Sequence, residues 1–189
     1  MSNDDFSSRG QALEDAFFYQ KDQQLLERLK VEIQAKEAKE QLAAVSGLTD
    51  EHLLSALIAA GIRAETLACV SLIPLVAVAW ADGKLESAEK QAIERALHEK
   101  GLPNNPVAVE LVGAWLGQPP AEALMNTWEE YVGVLSSTLE ATQFSLLRDD
   151  VLSRAEAVAK AAGGFLNVVN TISRSEQLVL DRLKAAFSA

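Results

Sequence analysis

Between Gln11 and Ala44 neither proline nor glycine interrupts the chain, and large apolar residues stand at Leu13, Phe17, Phe18, Leu25, Leu26, Leu29 and Ile33. They are separated mostly by four or seven positions, which lines them along one side of a helix. The stretch Gln34–Glu40 has no large apolar residue, and Glu32 precedes Lys36 by four, the favourable order for a helical ion pair. The pattern predicts one long helix with an adhesive first half and a solvated middle. Such a helix serves as an arm laid on its own domain or as a docking helix for a partner. Gly47 suits the left-handed position after its end, and Thr49 is placed to cap the next helix, with Asp50 and Glu51 opposing the new dipole.

The same reasoning predicts helices over about Asp50–Ala60, Ala64–Ala81, Ser87–Lys100, Pro106–Leu116, Ala121–Leu139, Thr142–Ala162 and Arg174–Phe187. Gly61, Gly101 and Pro119-Pro120 separate several of them. No segment reads convincingly as a strand. The expected fold is all-α, a compact bundle of two pseudo-symmetric helical halves carrying a long N-terminal helical arm. The expected division is residues 1–62 for the arm and a short helix, and 63–189 for the bundle.

Composition narrows the function. The chain has 189 residues, 49% of them hydrophobic, with 17 basic and 27 acidic side chains and a net charge of -10. That balance suits a folded domain and argues against a nucleic-acid partner, since duplex binding rests on Lys and Arg neutralising phosphates. Cys69 is the single cysteine and lies in an apolar run, where a reduced, inert thiol is expected. The acidic opening Met1-Ser2-Asn3-Asp4-Asp5 is unlike a secretory signal. The apolar run Leu67–Ala81 is shorter than the ~20 residues that span a bilayer. A cytoplasmic location without a transmembrane segment is therefore expected.

The chain also repeats itself. Ala77–Leu85 lines up with Ala157–Phe165 at an offset of 80 residues, and Ser87–Arg95 with Arg174–Arg182 after a seven-residue insertion. Each copy reads as a helix, a glycine turn and a second helix. Within the first copy, Asp82-Gly83-Lys84-Leu85-Glu86-Ser87-Ala88-Glu89 matches the second half of a calcium-binding EF-hand loop. The first-half ligand positions fall on Val78 and Trp80, which cannot coordinate a hard cation, so an EF-hand is excluded. Asp82, the Lys84 carbonyl, Glu86 and Glu89 can still supply oxygens to a weakly held Ca2+ or Mg2+. The competing explanation is plain capping: acids opposing a helix dipole and an Asp closing its turn. In the second copy Ala162 replaces Asp82 while Gly163 and Glu176 persist, so the turn itself does not require the acid.

The stretch Ile73-Pro74-Leu75-Val76-Ala77-Val78-Ala79-Trp80-Ala81-Asp82-Gly83-Lys84-Leu85-Glu86-Ser87-Ala88-Glu89 resembles the signature of the TerB-like tellurite-resistance family. The likeness extends over Arg63–Ala189 and is strongest across these residues. It implies an all-α domain of two related halves, ion-binding, stress-linked or scaffolding, without enzymatic activity and sometimes near membranes. It also implies that the family's metal-binding acids correspond to Asp82 and Glu89, and less securely to Glu86. Upstream, Arg9–Phe18 resembles small inhibitor proteins of rotary ATP synthases over ten residues, too few to carry an expectation.

No catalytic constellation accompanies these features. His52 and His98 fall in different helices without metal-ligand spacing, and no nucleophile elbow or phosphate-binding glycine loop is present. Two readings result. One is a non-catalytic module that binds a divalent cation weakly and docks a protein, with peripheral membrane association possible. The other is a purely structural or interaction protein whose N-terminal helix docks a partner or a second copy, forming a homo-oligomer, with no ion site.

Overall fold

A computed structural model describes residues 3–162 and 172–188, without the side chains of residues 3–19, 22 and 162. Among the described residues eight α-helices follow one another: α1 Asn3–Ser46, α2 Glu51–Ala59, α3 Ile73–Ala79, α4 Ser87–Glu99, α5 Pro106–Gly117, α6 Glu122–Thr138, α7 Ala141–Ala162 and α8 Arg174–Ala186. A 3-10 helix, Ala64–Leu72, links α2 to α3. Among the described residues there is no strand, and the protein is all-α. No single helix among them is long and apolar enough to cross a membrane.

The anticipated central helix over Ala64–Ala81 is two elements. Pro74 stands within the first turn of α3, where its missing N–H is harmless. Upstream of it the chain winds as the tighter 3-10 form, and the Ile73 N–H donates to the Val70 carbonyl three residues back. The 3-10 segment is pinned at its start by the Arg63 N–H, which donates to the buried Thr66 Oγ1 at 2.8 Å. The Arg63 guanidinium in turn donates to the Ile58 and Ile62 carbonyls and so closes the end of α2.

The α3 helix is the axis of the molecule. Ile73, Pro74, Leu75, Val76, Val78 and Ala79 are all buried. Helices α4, α6, α7 and α8 and the 3-10 helix all touch it. Leu42 of α1, Leu53 and Leu57 of α2 and Ile62 belong to the same buried cluster as α3, so the core continues across residue 62. Two charged clamps lock the outer helices. Arg182 of α8 donates to Glu122, Asn126 and Glu129 of α6. Arg154 of α7 donates to Asp150 at 2.8 Å and to Glu99 of α4.

The cap of α2 differs from the one expected. Asp50, not Thr49, occupies the N-cap, and its Oδ1 accepts from the Leu53 N–H at 2.9 Å. The chain leaves α1 through Gly47 (φ 73) and a side-chain bond from the Leu48 N–H to Ser46 Oγ, which sets the register one residue later. Replacing Asp50 by Ala should destabilise the protein by about 1 kcal/mol. Thr49→Ala should change stability by less than about 0.5 kcal/mol. Urea unfolding of the two variants against the parent distinguishes the caps.

Candidate functional site

The turn after α3 forms as its residues dictate. The Gly83 N–H donates to the Trp80 carbonyl at 2.9 Å, and Gly83 adopts φ 82, a conformation that favours glycine. Asp82 is exposed, and its Oδ1 accepts from the Lys84 N–H at 2.9 Å. This is the side chain bonding two residues ahead that stabilises an Asx-turn. Glu86 is also exposed and stands at the N-cap of α4.

Glu89 behaves differently. It is only 3% exposed, and its Oε2 accepts from the Glu86 N–H at 2.8 Å. That bond satisfies one of the amides left free at the start of α4. Its repeat counterpart does the same for α8: Glu176, 6% exposed, accepts from the Ser173 N–H, and the Glu176 N–H donates to Ser173 Oγ at 3.2 Å. The two caps lie close enough for their charges to interact. Burial lifts the Glu89 carboxyl from 4.5 to about 7 against the opposing pull of the Glu86 amide, and the charges of Glu176, Glu86 and Asp82 add to the rise.

The four candidate positions therefore divide. Asp82, Lys84 and Glu86 lie on the exposed side of the turn, and Glu89 is directed into the protein. Among the described residues no group of three or more Asp, Glu, His or Cys side chains is arranged to hold a metal ion. The second copy's turn, Gly163-Gly164-Phe165, lies outside the described residues. His52 and His98 are both exposed, with His52 Nδ1 3.3 Å from Glu130 Oε2. Cys69 is buried, and burial pushes its thiol up to about 11, where it stays protonated and unreactive. Trp115 and Trp128 are buried, and the Trp80 indole donates to the Trp115 carbonyl at 3.0 Å.

The proximity of Glu176 to Glu89 escaped the sequence reading, although its signals were present. Ser173-x-x-Glu176 is a capping-box pattern, and the repeat aligns Glu176 with Glu89.

Glu89 binds its proton more tightly in the folded protein than in the unfolded chain. Its contribution is greatest at low pH and should decline as pH rises from about 4.5 through about 7. Glu89→Gln, which keeps an acceptor oxygen for the Glu86 amide, should flatten that slope. At pH 8 it should exceed the parent in stability by on the order of 2 kcal/mol. Urea unfolding at pH 4.5, 6 and 8 reads the difference. No family model, curated protein or solved structure matches the chain.

Proposed function

We propose that the protein is a non-catalytic helical interaction module whose α1 pairs with the α1 of a second copy. One observation carries this reading. Residues 20–37 of α1 are exposed at every described position. Leu25 is 56% exposed, Leu26 52%, Leu29 44% and Ile33 56%. At about 100° per residue these four share a sector roughly 100° wide. Leu26, Leu29 and Ile33 also keep the three-four spacing of a coiled-coil seam.

Charge favours a second copy laid antiparallel. In-register parallel pairing stacks Lys36 on its own counterpart and sets Glu32 beside Glu37. Antiparallel pairing with Leu26 over the second copy's Leu29 sets Lys30 beside Gln23 and Glu32 beside Leu25, with no like-charge contact at those flanks. The TerB-like arrangement of two related halves belongs to the same proposal. It is supported by the repeat, by the matching Glu89 and Glu176 caps, and by the contacts of both α3 and α4 with α7.

A second reading is a weakly held Ca2+ or Mg2+ at Asp82, the Lys84 carbonyl, Glu86 and Glu89. It is favoured by the negative charge that Asp82, Glu86 and Glu176 direct at Glu89, which a cation at the turn would relieve.

Sedimentation of the full chain should give twice the 20.4 kDa mass of one copy. Leu26→Glu with Leu29→Glu should return it to a monomer of unchanged helix content, and a parent that stays monomeric at high concentration overturns the pairing. Calcium and magnesium titrations followed by melting temperature decide the second reading. Equal responses of the parent and Asp82→Ala reject the ion site, whereas a rise confined to the parent establishes it.

A further inference from the structure

We propose that the cleft between the 3-10 helix and α6–α7 binds a single-chain amphiphile with a carboxylate head, a ligand of the fatty-acid class. The cleft encloses about 500 Å³, within the span of roughly 300–1,000 Å³ usual for small-molecule sites. Leu67 lines one wall, Trp128 and Leu135 of α6 the other, and Leu147 of α7 and Phe187 beyond α8 complete it. The Phe187 ring is held edge-on to Trp128 at 5.6 Å between centroids, which fixes the aromatic end of the cleft. Water against such a surface finds few hydrogen-bond partners, so an alkyl chain displaces it favourably.

Two polar side chains that can donate border the cleft. Tyr131 lines the cleft, and no hydrogen bond joins its hydroxyl to another described residue. Burial raises its pKa, so the phenol remains a donor at neutral pH. Lys100, half-buried at the C-terminal end of α4, also borders the cleft. Its ammonium donates to Asp150 Oδ2 at 3.2 Å, which leaves it two further N–H groups. Asp150 is itself shared with Arg154, whose Nε donates to the other carboxylate oxygen. The Ser71 hydroxyl is engaged with the Ala68 carbonyl at 2.8 Å, and Glu65 is exposed at the rim. The half-buried groups that border the cleft are thus donors, and the Lys100 N–H groups left over by Asp150 suit a carboxylate acceptor on an apolar tail.

Isothermal titration of the full chain with dodecanoate, below its micelle concentration, should show saturable one-to-one binding. Dodecanol should bind about tenfold more weakly, as should dodecanoate to Lys100→Gln. Tyr131→Phe should weaken binding severalfold. Ala68 is exposed on the cleft wall, so Ala68→Trp should block entry without altering helix content or melting temperature. Absence of saturable heat from the parent overturns the proposal, as does full-strength binding by Ala68→Trp. Equal affinity for the acid and the alcohol overturns the assignment of the head.

Discussion

A seven-residue helix contributes little stability of its own, because nucleating a helix costs more than its first hydrogen bonds return. The α3 helix exists because nearly all of it is covered: six of its seven residues are buried, and Ala77 is half-buried. Ile73, Leu75, Val76 and Val78 point in different directions around the helix and are all buried, and five other elements touch the helix. Such a position tolerates no polar residue without an unsatisfied group, which is why the segment reads as a continuous apolar run. The outer helices need only one apolar stripe each, and their other faces carry the Arg154 and Arg182 clamps. Burial of α3 thus fixes which side of α4, α6, α7 and α8 faces inward, and it places the Asp82 turn at the end of the axis.

That constraint explains which parts of the fold were legible in the sequence. The outer helices show their stripes at helical spacing and end at Gly47, Gly61 and Gly101, all with positive φ. The winding of the axis was not legible, because the 3-10 segment shows only Glu65 and Ala68 fully to solvent, and two positions three apart fit an α-helix as well as a 3-10 turn. Only Pro74 hinted at the change, by preferring the first turn of a new helix. At the α2 cap, Thr49 and Asp50 are both good capping residues. The choice depended on where Gly47 and Leu48 left the backbone, which local propensity does not encode.

The candidate site was half legible for a related reason. Acids at the start of a helix are equally good ligands and equally good caps, and sequence alone cannot separate the two. The structure shows the capping contacts residue by residue: one Asp82 oxygen accepts from the Lys84 amide, and one Glu89 oxygen accepts from the Glu86 amide. A buried carboxylate that serves as a cap has a cost when a second one, Glu176, stands nearby. The sequence repeat aligns Glu89 with Glu176, each accepts from an amide at the start of its helix, and the charge repulsion between the two caps follows from that alignment.

The N-terminal helix presents the opposite problem to α3. At 44 residues and about 1.5 Å per residue it extends for roughly 66 Å, and among the described residues its main contacts with the body are to α2 and the 3-10 helix. Leu42 anchors its C-terminal end in the core, and the Lys39 ammonium reaches Glu51 at 2.9 Å. Across residues 20–37 helicity draws on favourable propensity and on local pairing, while Leu25, Leu26, Leu29 and Ile33 remain in water. A sequence needed only for a solvated spacer would gain solubility by placing polar residues at those four positions. Their apolar character on one sector fits the proposed pairing with a second helix, and covering it would supply the burial that α3 obtains inside the domain.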